Sequence, residues 1–205
     1  FTWFDVDVPI RVETYPDSGN SGRYRIAEVK APAGYLLDNS PIEVEFTYAG
    51  QEVAWQVVDG TNTNLRTTVN ISKQDVTNGK ELPGAKLEIR NADGKLIEGW
   101  TSAKAPHTVR GLELDKEYTL IEKRAPETYA EAENIVFKLV QVGNEQENEV
   151  YVKTGDTWEK LDDTTVVMQD APVLDIDKVD AGGILLPGAT LTIRDEDKNV
   201  IDTWV

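Results

Sequence analysis

Residues 71–100 read ISKQDVTNGKELPGAKLEIRNADGKLIEGW, and residues 176–204 read IDKVDAGGILLPGATLTIRDEDKNVIDTW. Lys73 matches Lys178, Leu-Pro-Gly-Ala at 82–85 matches 186–189, and Trp100 matches Trp204, each pair about 104 positions apart. A second pair of stretches is offset the other way: YRIAEVKAPAGY at 24–35 resembles YTLIEKRAPETY at 118–129, with Glu28 against Glu122. Two offset pairs that tile one period describe the end of one repeat, one whole repeat and the start of a third. The expected division is therefore 1–68, the C-terminal part of a domain; 69–172, a complete domain; and 173–205, the N-terminal part of another. The connectors, Arg-Thr-Thr and Ala-Pro-Val-Leu, are short and lack Gly/Ser runs, which predicts semi-rigid joints.

Between the turn signals Asn-Gly, Asp-Gly and Pro-Gly lie LEIR, YTLIE, NIVFKLV, EVYVK and TTVVMQ, rich in β-branched and aromatic residues that alternate in polarity. No segment has helical periodicity. Several short strands in about 100 residues predict an all-β fold, tandem immunoglobulin-like antiparallel β-sandwiches.

The 205 residues carry 37 acidic and 21 basic side chains, a formal charge of −16 that opposes binding to nucleic acid or an anionic membrane. No run of 18 apolar residues predicts membrane contact in this segment. With no cysteine and a single histidine, His107, neither a disulfide framework nor a thiolate metal site can form, and no cofactor or metal is expected. His107 lies in Lys-Ala-Pro-His-Thr and reads as an exposed loop side chain.

Strand phase places charges where apolar residues belong. Residues i, i+2 and i+4 share a face. Lys73 follows Val69 and Ile71 in phase, Glu122 follows Tyr118 and Leu120, and Asp170 follows Val166 and Met168. Lys178 and Glu28 repeat the pattern after Ile176 and Ile26. A lone buried charge costs several kcal/mol, on the order of 3 to 5. Three such groups that meet have a chemical way out. Burial favours the neutral forms of an amine and a carboxyl, which are then a nucleophile beside an electrophile. Their condensation gives a neutral amide between Lys73 and Asp170, with Glu122 moving the protons. The alternative is that these residues end their strands in solvent or in an ordinary salt bridge.

ISKQD followed by ELPGAKLEIR, the stretch IEKRAPETY and the closing VVMQDAP resemble the B-type domains of Gram-positive collagen adhesins and pilins. The resemblance implies a sandwich whose first-strand lysine joins a last-strand Asp or Asn through a spontaneous isopeptide bond, assisted by a Glu before Ala-Pro-x-Gly-Tyr. It makes Lys73 the amine, Asp170 the acyl donor and Glu122 the catalyst of a complete B-type domain at 69–172. The flanking segments become parts of further B-type domains. Glu127-Thr128 departs from the motif that Ala33-Gly34 keeps. In the first repeat Glu28 has Asn64 as a candidate acyl partner, although DGTNTNLRT around it lacks apolar alternation and no lysine serves it. Lys178 is the amine of the third.

The function so implied is a stalk repeat of an extracellular, cell-wall-attached surface protein, with neighbouring repeats of the same chain as partners and single-turnover bond formation rather than enzymatic turnover. An alternative is a module that itself binds a host matrix protein or glycan through Trp55 or Trp158. Asp162 and Asp163 as a hydrolase pair fit poorly, because adjacent strand residues point to opposite faces and Leu-Asp-Asp-Thr-Thr reads as a turn. Complementation between copies, residues 172–205 of one with 1–68 of another, is a further arrangement the repeats allow.

Overall fold

The computed structural model describes residues 23–45, 60–143 and 145–205. Thirteen strands and no helix are found among them. Nine belong to the segment the repeats mark as whole: β3 (Thr68–Asp75), β4 (Lys86–Asn91), β5 (Leu96–Thr101), β6 (His107–Arg110), β7 (Tyr118–Arg124), β8 (Ile135–Gln141), β9 (Asn148–Thr154), β10 (Thr157–Lys160) and β11 (Thr165–Asp170). Before them lies the hairpin of β1 (Arg23–Ile26) and β2 (Ile42–Glu45), after them that of β12 (Leu191–Arg194) and β13 (Val200–Trp204).

The nine strands form a six-stranded sheet in the order β10-β9-β8-β7-β4-β5 and a three-stranded sheet in the order β11-β3-β6. Alternation along each strand decides what lies between them. Val69, Ile71, Val109, Val166 and Met168 of the smaller sheet join Leu87, Ile89, Leu120, Phe137, Leu139 and Val150 of the larger in one buried cluster. Tyr118 and Phe137 pack with ring centroids 5.9 Å apart. Truncating a residue as deeply enclosed as Phe137 costs about 3–5 kcal/mol.

All pairings are antiparallel except one. β11 runs parallel to β3, with Met168 opposite Lys73 and Asp170 opposite Asp75. The expectation of a wholly antiparallel sandwich misses this pair, because alternation within a strand carries no sign of direction. The first and last strands of the repeat lie side by side with their ends together, and Val76 N–H donates to the Asp170 carbonyl at 3.0 Å.

The repeats match in detail. β12 and β13 pair Leu191 with Trp204 as β4 and β5 pair Leu87 with Trp100, with a register shift at Ile193/Arg194 matching the one at Ile89/Arg90. Leu-Pro-Gly-Ala turns into β4 as expected: Leu82 N–H returns to the Lys73 carbonyl at 2.7 Å, and Leu186 N–H to Lys178 at 2.8 Å.

Candidate functional site: a buried amine between two carboxyls

Three strands deliver the site. Phase turns Lys73 of β3 inward after Val69 and Ile71, and the parallel pairing sets Asp170 of β11 diagonally beside it. Glu122 reaches across from β7 of the opposite sheet, where it follows buried Tyr118 and Leu120. Lys73 Nζ lies in direct contact with Asp170 Oδ1 and 3.1 Å from Glu122 Oε2, and all three side chains are at most 1% exposed. Lys73 is among the largest fully buried side chains of the described residues.

Glu122 Oε2 also accepts the Ala132 N–H at 2.8 Å, so the loop after β7 fixes the carboxyl from behind. Glu122 Oε1 and Asp170 Oδ2 are buried without a hydrogen-bond partner in the protein. Such atoms are costly, and a proton on one carboxyl relieves the cost. Burial pushes the Glu122 carboxyl above its ordinary value, against the pull of the Ala132 N–H and the Lys73 amine, and the adjoining Asp170 carboxyl raises it further. A carboxyl that keeps its proton beside an amine and a second carboxyl is suited to proton transfer.

A cleft of about 160 Å³ between Ile71, Glu81, Leu87, Trp100, Ser102 and His107 reaches Lys73 from the side. His107 forms part of its wall. It begins β6 half-buried, stacked on Trp100 at 4.5 Å between centroids and held by Glu98 at 2.6 Å, not exposed in a loop as the sequence suggested.

The first repeat assembles two of the three groups. Asn64 Nδ2 donates to Glu28 Oε2 and to the Leu36 carbonyl at 2.8 Å, while Asp38 N–H donates to Glu28 Oε2 at 3.0 Å. This segment closes as the second repeat does. Tyr35 bridges Arg66 as Tyr129 bridges Pro172, and Leu36 N–H meets Leu65 as Ala130 N–H meets Ala171. Asn64 thus stands where Asp170 stands, although no apolar alternation surrounds it. Lys178 is exposed, and its Nζ reaches only the Val179 carbonyl, at 3.4 Å.

Other candidates separate from the site. Trp158 is half-buried between Lys138 and Lys153, 4.5 and 5.6 Å from its ring centre. Trp55 lies outside the described residues. Asp163 caps the start of β11 by accepting the Thr165 N–H at 2.7 Å. One residue escaped sequence reasoning although its signal was present. Asp75 accepts from Thr77 N–H and hydroxyl, from Asn78 and from Tyr129 O–H, tying the end of the Lys73 strand to the loop that follows Glu122. Its repeat partner Asp180 holds the corresponding turn through Gly182 and Ile184 N–H.

Two facing sheets whose first and last strands pair in parallel over a buried Lys-Glu-Asp cluster define a pilin-like sandwich. The profile of the SpaA prealbumin-like fold domain matches residues 17–61 and 67–157, and the chain belongs to this family of structural domains. The family agrees with the likeness to Gram-positive pilin and adhesin B-type domains drawn from the sequence motifs.

Among solved structures, the chain is 26% identical to the Bacillus anthracis TIE protein, over 89% of this chain and 32% of that one, with a TM-score of 0.45. The pilus-presented adhesin Spy0125 (Cpa) is 28% identical over 46% of this chain and 27% of its own, TM-score 0.36. The C-terminal fragment of the pilus adhesin SpaC from Lactobacillus rhamnosus GG is 20% identical over 76% of this chain and 78% of its own, TM-score 0.43. The chain thus spans about a third of the first of these proteins and about a quarter of the second. No curated protein matches it.

Proposed function

We propose that this chain is a load-bearing stalk segment of a cell-wall-attached surface protein, built from B-type repeats divided at 1–68, 69–172 and 173–205, and that its whole repeat is closed by a Lys73–Asp170 amide. The observation that carries the reading is the contact of Lys73 Nζ with two carboxyls in a pocket at most 1% exposed. A salt bridge there would leave charges in low dielectric with two carboxyl oxygens unpaired; an amide is neutral.

The step balances. A proton passes from the Lys73 ammonium to the Asp170 carboxylate, the neutral Nζ attacks Asp170 Cγ, and the Nζ–Cγ bond forms. Glu122 gives its proton to the Asp170 hydroxyl, which leaves as water as the C–O bond breaks, and takes a proton from Nζ in return, so that a neutral amide and a protonated Glu122 remain. The cleft beside Lys73 offers the water a way out.

The amide spans 97 residues of sequence. Tension entering before β3 and leaving after β11 would run through the bond and bypass the sheets. In a chain without cysteine, this supplies what a disulfide would. Glu28 and Asn64 stand as the acid and acyl donor of the corresponding site in the first repeat, for which residues 1–72 hold no matching lysine, and Lys178 is the amine of the third.

Intact mass tests the reading. The chain is expected one water lighter than its sequence, and Glu122→Gln is expected to restore the full mass while the fold survives. A wild-type mass equal to the plain sequence would overturn the bond.

A further inference from the structure

We infer that the two repeat-to-repeat junctions of this chain are built differently: the first is locked backbone against backbone, and the second holds the following repeat in another position. The inference uses the repeat division and is independent of the amide.

At the first junction Gly34, in the left-handed region at φ 79°, lies against Gly111 of the next repeat so closely that a Cβ on Gly34 would come within 2.4 Å of the Gly111 carbonyl oxygen. Thr67 joins the two sides. Its N–H donates to Gly34 at 3.1 Å, its carbonyl accepts the Gly111 N–H at 3.0 Å, and its hydroxyl donates to the Leu112 carbonyl at 2.6 Å. Thr67, Leu36 and Leu112 are at most 3% exposed. Farther out, Gln141 forms two hydrogen bonds of 2.8 Å with the Leu37 backbone, and Gln146 accepts the Leu65 N–H at 2.6 Å. Backbone groups and short side chains in a dry contact leave little rotational freedom.

The second repeat ends in the same turn with different side chains. Tyr129 N–H returns to Pro126 at 3.2 Å as Tyr35 N–H returns to Pro32 at 3.1 Å, and Val173 N–H meets the Thr128 carbonyl as Thr67 N–H meets that of Gly34. Thr128 keeps the left-handed backbone, at φ 69°. Its side chain fills the space that Gly111 occupies against Gly34. Val173 in the place of Thr67 has no hydroxyl to donate, and Ala130 in the place of Leu36 has less apolar surface to bury. Each of these replacements removes a contact of the first junction, and the Thr128 side chain also blocks the approach sterically. A third repeat cannot dock there as the second docks on the first. The first two repeats carry load as one body, and bending concentrates at residues 171–174.

Moving the second junction's residues into the first tests this on the chain as it stands. Gly34→Thr/Leu36→Ala/Thr67→Val is expected to raise amide exchange at Gly111, Leu37 and Leu65 by about tenfold or more while Leu120 and Leu139 stay protected. It should also split one shared NMR alignment of residues 23–45 and 69–172 into two. Thr67→Val alone, which leaves the Gly34 turn untouched, is expected to raise exchange at Gly111 to a smaller degree and serves if the triple variant fails to fold. Unchanged exchange and a single alignment in a folded triple variant, or two alignments already in the wild type, would overturn the inference.

Discussion

In the second repeat an amine meets two carboxyls in a dry pocket; in the first, among the described residues, a carboxyl meets an amide. The acid is held alike in both. Glu122 accepts the N–H of Ala132 and Glu28 that of Asp38, each ten residues on, and each turn closes with the same backbone bonds. Surroundings differ. The Glu122 side chain is fully buried beneath a second sheet, and Glu28 is half-buried. The comparison teaches that the local chain brings the Glu28 carboxyl and the Asn64 amide together through the same turn that holds Glu122 and Asp170.

The largest expected effect comes from deleting the amine. Lys73→Ala should give the full sequence mass and a domain far less resistant to heat and protease. Losing a closure over 97 residues removes about 4–5 kcal/mol by loop entropy. Glu28→Gln, by contrast, should leave both the mass and the melting of the second repeat unchanged. If the two substitutions destabilised that repeat equally, the distinction between the sites would fail.

A smaller effect follows from the raised Glu122 carboxyl. In the Lys73→Ala chain the lysine contributions that lower it are gone, and burial and Asp170, which raise it, remain. The native state then keeps a proton that the unfolded chain releases above its ordinary value of 4.5. Native stability from this source is full below pH 4.5 and is lost as pH rises through the elevated folded value. Thermal midpoints should therefore fall with rising pH in Lys73→Ala and flatten in Lys73→Ala/Glu122→Gln; equal slopes in the two would sink the assignment. Asp75, Asp180 and Asp195 act in the opposite sense, because hydrogen bonds hold them below 3.8 and their contribution is lost only in stronger acid.

Strand phase alone was enough to turn Lys73, Glu122 and Asp170 inward, because the period of two is absolute once a strand is correctly bounded. Phase says nothing about which strands adjoin. The resemblance to a family implied that the first and last strands meet at Lys73 and Asp170, but the parallel direction of the β3–β11 pair was missed. Asn64 was harder, since DGTNTNLRT around it has no apolar alternation to read. His107 was misjudged because Lys-Ala-Pro before it suggested a loop, whereas the Trp100 ring that covers it comes from the neighbouring β5.

The smallest effect concerns the position where the two turns diverge. Thr128 and Gly34 share a left-handed backbone, at φ 69° and 79°. For a β-branched residue this conformation costs about 1–2 kcal/mol, while glycine loses about 0.5–1 kcal/mol through the greater freedom of its unfolded chain. In the Lys73→Ala background Thr128→Gly should therefore be neutral or stabilise the second repeat by up to about 1 kcal/mol by urea denaturation. Thr128 is exposed and enters none of the side-chain hydrogen bonds around the site, so little opposes the gain. Gly34→Thr runs the other way: the same strain appears, together with a collision against the Gly111 backbone that no rotamer avoids. Opposite signs for these reciprocal exchanges would locate the difference between the junctions in contact with the next repeat. A loss on Thr128→Gly as large as that on Gly34→Thr would mean that the threonine side chain supports its own turn, and the junctions would then have to differ for another reason.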